Sequence, residues 1–272
     1  MKPAAFDYHR PATLAEAIDL MERFGDSAAA ISGGQSLVPL MNLRLSPSDQ
    51  LVDVSRLAEL QQTRDLGDSV FLGAGLTHAM FEDGAAPDPA NGLMRQAASH
   101  IAYRAVRCHG TIGGSVAMAD PAADWPAVLL ALDAAALVRG PMGERRIAMD
   151  ALLTGTYTTS LETGEIITGF EVPKLPADAR TSYVKFNRKV GAFASSLAVA
   201  VRQGEALRLV LAGAGPRATL LAATAAAFIA GAPKTSVRNA LAGEVVLIVE
   251  ADDPYACALH IATILRAIEE IS

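Results

Sequence analysis

The apolar positions near the start of the chain follow a helical period and then a strand period. Thr13-Leu14-Ala15-Glu16 has the form of a capping box, in which the threonine caps a helix and the glutamate reaches back. Leu14, Ala17, Ile18 and Met21 then share one helical face, and Gly25 stops the helix. Residues 28–32 predict a short buried strand. Residues 36–42 predict the first turns of a helix interrupted by Pro39, and residues 50–54 and 69–73 predict two further strands.

Residues 124–132 predict an apolar helix, followed by strands near 135–139, 144–148 and 165–172. Pro173 and Pro176, with Lys174 and Asp178 beside them, mark a linker. Beyond it lie strands near 182–188, 194–202 and 205–212, a turn at Gly213, Gly215 and Pro216, and helices near 217–230, 234–242 and 253–270. Strands followed by helices predict a separate α+β unit. The chain therefore divides into a small α/β unit over 1–57, a second over 58–176 and a third over 177–272. No internal repeat interrupts this order.

Two glycine-rich segments stand out against that background: Ser32-Gly33-Gly34-Gln35-Ser36 and Thr111-Ile112-Gly113-Gly114-Ser115. Each follows an apolar stretch and mixes paired glycines with hydroxyl side chains. Paired glycines let successive N–H groups turn toward one point, which forms an anion nest. Two nests suit a ligand with two adjacent negative charges, such as a pyrophosphate; two ordinary tight turns are the plainer alternative. Neither segment satisfies G-x-G-x-x-G, and the strand–helix alternation of a doubly wound sheet is missing, although Asp53 follows a strand. Neither is a phosphate-binding loop ending in Gly-Lys-Ser/Thr.

Composition removes several function classes. At 272 residues, 51% hydrophobic and 19% charged, the chain is globular and large enough for a sizeable core. Its net charge of −6 comes with both signs interspersed, so neither nucleic acid nor a membrane surface is an expected partner. The start of the sequence has no apolar signal segment, and no apolar run reaches membrane-spanning length; the expected location is the cytoplasm. Cys108 and Cys257 are too few for an iron–sulfur cluster held by this chain alone, which needs about four thiolates. Cys108, beside the second glycine segment, is either a reactive thiol or an ordinary packed cysteine. No histidines cluster with cysteines or carboxylates at metal-ligand spacing, and no nucleophile elbow is present.

The two glycine segments, with Ala119-Asp120-Pro121-Ala122-Ala123-Asp124-Trp125-Pro126 after the second, closely resemble in order and spacing the FAD-binding medium subunit of the molybdenum hydroxylases, the xanthine dehydrogenase and carbon monoxide dehydrogenase family. The resemblance runs from Pro3 to the final helix. It implies an α+β fold: a two-subdomain FAD-binding domain of the PCMH or vanillyl-alcohol-oxidase-like type, then a smaller α+β C-terminal domain of the carbon monoxide dehydrogenase flavoprotein type. It implies noncovalent FAD, with the pyrophosphate met by Ser32, Gly33, Gly34, Gln35, Ser36 and Leu37 on one side and by Thr111, Ile112, Gly113, Gly114 and Ser115 on the other. Asp124 matches a family aspartate that holds a sugar or ribityl hydroxyl; its residue type would equally suit an N-cap. Ile167 and Ile101 match apolar cofactor neighbours, and Ile101 suits core packing as well. Lys185 matches a lysine near the isoalloxazine, the alternative being a solvated strand lysine.

The chain departs from the family pattern at Ser115, often Asn, at Met118, often His, and at Gly191-Ala192, where Gly-Asp is common. The resemblance implies an electron-transfer subunit that takes electrons from [2Fe–2S] clusters on a small partner. A large partner would carry molybdopterin and oxidise the substrate. The working unit would be a heterotrimer, open to pairing as a dimer of trimers. The terminal acceptor would be NAD, dioxygen, a quinone or a redox protein. Two other readings stand beside this one: a self-sufficient FAD oxidoreductase acting on a small molecule, and a flavin-free assembly subunit.

Overall fold

The cap expected at Thr13 forms. Thr13 Oγ1 accepts the Glu16 N–H at 3.2 Å, and the Glu16 carboxylate accepts the Ala12 N–H at 2.7 Å, one residue ahead of the cap. The computed structural model that shows this describes residues 2–249 and 253–272. Helix α1 (Leu14–Phe24) buries Leu14, Ala17 and Ile18. They face a parallel sheet of β1 (Asp7–His9), β2 (Ala28–Ile31) and β3 (Gln50–Asp53), with β3 in the middle. The first glycine segment leaves the end of β2 and enters α2 (Leu37–Asn42).

The middle of the chain builds an antiparallel sheet from β4 (Thr63–Asp65), β5 (Ser69–Gly73), β6 (Ala135–Gly140) and β7 (Gly143–Ala148). A small ribbon, β8 (Leu153–Gly155) with β9 (Thr158–Thr159), precedes β10 (Ile166–Pro173). β10 takes the centre of the larger sheet, in the order β4-β5-β10-β6-β7. Helices α3 (His78–Glu82), α4 (Leu93–His100), α5 (Arg104–Arg107) and α6 (Ile112–Met118) lie between β5 and β6. None was legible in the apolar pattern, because four to eight residues are too few to establish a helical period.

Helix α7 (Asp124–Ala131) is apolar all round after its first residue, and all eight of its residues are buried. Such a helix needs partners on every side. It finds them because it lies between the middle of the chain and a third sheet. That sheet is antiparallel, in the order β11 (Arg180–Phe186), β12 (Ser196–Gln203), β13 (Ala206–Ala212), β14 (Thr219–Leu220). Leu197, Val199 and Val201 on its inner face join the central core with Trp125 and Val128, whereas Ala198, Ala200, Leu209 and Leu211 face the other way. That outer face is covered by α9 (Ala222–Ile229), α10 (Lys234–Ile248) and α11 (Pro254–Glu270), through Leu241, Val245 and Ile264. Truncating Leu211, fully buried in this layer, to alanine is expected to destabilise the fold by about 2–5 kcal/mol.

Two helix boundaries differ from the expectation. The helix expected from residue 217 begins only at Ala222, because Thr219 and Leu220 pair with Leu211 and Val210 as an edge strand. The one expected to end near 242 continues to Ile248, since Val245 still has apolar neighbours to cover. A short helix, α8 (Met149–Leu152), follows β7. Among the described residues no helix is long and apolar enough to cross a membrane.

Candidate functional site

The two glycine segments meet. A Cβ on Gly33 would stand 2.0 Å from the carbonyl oxygen of His109 and 2.8 Å from Cα of Gly110, so only glycine permits this backbone-to-backbone approach. Thr111 Oγ1 donates to Ser32 Oγ at 3.2 Å across the same junction. Beside it opens a cavity of about 490 Å³, bounded by the end of β2, the start of α6, the start of α7, β10 and β11. That size is within the range of small-molecule sites.

The two segments contribute differently to this cavity. The N–H groups of Gly33, Gly34, Gln35 and Ser36 donate to no acceptor among the described residues. Gly34 holds a φ of +68°, the left-handed conformation that turns the chain at this point. The N–H groups of the second segment are already engaged. Ile112 donates to Leu76 O, Gly113 to Ala74 O at 2.9 Å, Gly114 to Thr111 Oγ1 and Ser115 to Thr111 O. This corrects the expectation of two equivalent nests: the second segment is a capped helix start that offers the cavity hydroxyl groups and bare glycine surface. Ile112 is the one suggested residue that does not line the cavity. It is fully buried in the core, as its apolar side chain requires. Ser32, Leu37, Gly113, Gly114 and Ser115 all reach the cavity wall.

Asp124 is not the N-cap of α7. Ala123 holds that position, and Asp124 is the first helical residue. Its carboxylate accepts from Lys185 Nζ at 2.9 and 3.0 Å and from the Tyr183 hydroxyl. Lys185 and Tyr183 are two apart on β11, so their side chains emerge on the same face, toward α7. Lys185 is therefore no solvated strand lysine: its side chain is 3% exposed, that of Asp124 is 5% exposed, and Nζ also donates to His100 O at 3.2 Å. Burial raises the Asp124 carboxyl above its usual range, against the opposing pull of Lys185 and the Tyr183 hydrogen bond. Burial, and after it the neighbouring Asp124, likewise push the Tyr183 phenol far above its usual value.

Ile167 reaches the cavity by means of a bulge. The register of β10 against β6 slips between Ile167 and Gly169, leaving Thr168 over. Such an extra residue re-aims its neighbours, and Ile166 and Ile167 both line the cavity although they are consecutive. Ile101 stands at the wall beside Ala102, half-buried and also in contact with the core. The Ile101 and Ala102 carbonyls are held by Arg107 at 2.9 and 3.0 Å.

Several wall residues escaped the sequence reading. His78 lies under the junction, and Glu165 lines the wall with its carboxylate held by Arg145 at 2.6 Å. Arg145 keeps that carboxyl below its usual range. His78 opens a five-residue helix and Glu165 precedes β10, so no apolar period marks either, and their partners are distant in sequence. The positions that depart from the family pattern, Ser115, Met118 and Ala192, all face the cavity. Chemically, the site offers unpaired N–H donors and hydroxyls at one wall, apolar surface along β10, and a buried ion pair at the head of α7.

A family model described as the FAD binding domain in molybdopterin dehydrogenase matches residues 4–175. The carbon monoxide dehydrogenase medium chain of Afipia carboxidovorans is 37% identical over 204 residues, 74% of this chain and 70% of its own length. The 6-hydroxypseudooxynicotine dehydrogenase complex subunit alpha of Paenarthrobacter nicotinovorans is 39% identical over 194 residues, 71% of this chain and 66% of its own. Among solved structures, carbon monoxide dehydrogenase from Hydrogenophaga pseudoflava, in a form lacking the Mo-pyranopterin moiety of the molybdenum cofactor, is similar with a TM-score of 0.93 at 32% identity. That match covers 100% of this chain and 98% of the other.

Proposed function

The chain belongs to the family of FAD-binding domains of molybdopterin dehydrogenases, and from that premise we propose that it is the FAD-carrying, electron-transferring subunit of a molybdenum hydroxylase. Its activity class is oxidoreductase and its fold is α+β. One observation carries the reading to this site: the contact of Gly33 with His109 and Gly110, which leaves a row of unpaired N–H groups beside two hydroxyls. That donor set fits a pyrophosphate, and a Cβ at Gly33 would close the cradle.

When bound, FAD supplies a carrier that takes up electrons singly and gives them up singly or in pairs. The residues of this chain bind and orient it. The N–H groups of residues 33–36 and the hydroxyls of Ser36 and Ser115 donate to phosphate oxygens, each charge-assisted bond contributing about 1.5–3 kcal/mol, while the Thr111 hydroxyl, which gives its proton to Ser32, ties the two segments together. Asp124 keeps lone pairs for a ribityl or ribose hydroxyl, because a carboxylate accepts up to about four hydrogen bonds. Lys185 holds Asp124 in place and faces the cavity with it as a pair of opposite charges. Ile101 and Ile167 supply apolar walls against the ring system.

The same reading extends to the assembly. The chain divides functionally at 1–57, 58–176 and 177–272. Electrons reach it from two [2Fe–2S] clusters on a small partner subunit, while a large partner carries molybdopterin and selects the substrate. Two cysteines cannot hold such a cluster here. Purification of the native complex tests this. The expected particle is larger than the chain, with flavin and iron–sulfur absorption together, and NAD, dioxygen and quinones compared as acceptors. A monomer that oxidises a small molecule unaided would contradict it.

A further inference from the structure

His78 opens α3, and its two ring nitrogens face different surroundings. Nδ1 lies 2.9 Å from Trp125 Nε1. An indole N–H only donates, so Nδ1 accepts and the ring proton sits on Nε2. Trp125 is fully buried, with its ring against Phe81 at 4.9 Å between centroids, so the donor that sets this tautomer is itself fixed by packing. The His78 backbone N–H donates to Gly110 O at 3.0 Å, which ties the residue to the second glycine segment.

Nε2 points to that same segment. A Cβ on Gly110 would stand 2.7 Å from it, so the missing side chain is what leaves Nε2 open. His78 is 5% exposed, and Nε2 meets no acceptor among the described residues. Among those residues, Ser160 Oγ is the one wholly enclosed side-chain polar atom without a partner. The unpartnered Nε2 therefore reaches open space, and that space is the cavity His78 lines. Burial first, and the Arg107 guanidinium second, hold the ring pKa down at about 4, so the imidazole is neutral near pH 7.

We propose that His78 is a tautomer-locked, uncharged hydrogen-bond donor to a phosphate oxygen of the FAD, at the junction where Gly33 rests on His109 and Gly110. The assignment depends on the FAD reading above. Its geometry is that of a preset donor: Trp125 fixes the proton, Gly110 clears the path, and no charge change accompanies binding.

The test uses the flavin-free full chain with ¹⁵N-labelled histidine, titrated with FAD. One of the five histidines is expected to hold the Nε2–H tautomer from about pH 6 to 8, with its Nε2–H resonance shifted and protected from exchange once FAD is added. His78→Leu is expected to weaken FAD binding about tenfold, whereas His78→Gln, which can accept from Trp125 and donate onward, stays within about threefold. If the wild-type chain binds FAD while the His78 resonances stay put, or the leucine variant binds as tightly, this assignment falls alone. If the wild-type chain takes up no FAD, the proposed function falls with it.

Discussion

Gly33 sits directly against the His109 carbonyl: a Cβ at Gly33 would lie 2.0 Å from that oxygen. This contact brings two segments nearly eighty residues apart onto one wall of a single cavity. Gly33→Ala must therefore push the segments apart. The expected result is a loss of about 1–3 kcal/mol in stability from overpacking and at least about a tenfold drop in FAD affinity. Thermal melts and flavin titration check both, and an alanine variant that binds FAD normally contradicts the junction.

Lys185 and Asp124 form a buried pair, so removing one partner strands the other. Lys185→Met is expected to destabilise the flavin-free chain by about 3–5 kcal/mol, and adding Asp124→Asn should recover most of that loss. Chemical denaturation of the two variants is the check. Equal stability of Lys185→Met and the wild type would show that the lysine does not balance the buried carboxylate.

Acid sensitivity should report His78. Its pKa is about 4 in the folded chain against 6.5 for an ordinary histidine, so between these values the unfolded chain binds more protons. Stability from this group is full above about pH 6.5, declines as pH falls, and levels off below about 4. The total is about 3 kcal/mol. Comparing wild type with His78→Gln across that window isolates it, since other titrating groups are common to both. Identical slopes would mean that His78 is not a neutral buried ring.

Much of the fold is visible in the order of apolar residues, and the reason for each gap is physical. Helix α1 announces itself through Thr13 and the apolar face of Leu14, Ala17, Ile18 and Met21, of which the first three are buried; α7 does so through an unbroken apolar run. Helices α3 to α6 are shorter than two or three turns and have no such pattern. The glycine segments mark the site because glycine pairs between hydroxyls are unusual, yet the sequence does not say which N–H groups are already engaged. Ile112 illustrates this: an apolar residue between Thr111 and Gly113 suits either a ligand wall or a core, and Ala74 and Leu76 draw it inward. Pairings across the fold were out of reach. Lys185 and Asp124 are 61 residues apart, and His78 and Trp125 are 47 apart.

The proposed FAD site lies at the junction of the two glycine segments. Gly114 provides the cleanest probe, because it is exposed at the cavity wall and a Cβ there meets only Thr111 Oγ1, at 3.0 Å. The deciding measurement is FAD uptake by the flavin-free full chain, read by visible absorption after gel filtration, for the wild type and Gly114→Asp. FAD binding at this junction would give one flavin per wild-type chain and little or none on a folded Gly114→Asp variant, whose added charge opposes the phosphates. A wild-type chain that stays colourless, or an aspartate variant that fills as completely as the wild type, would contradict it.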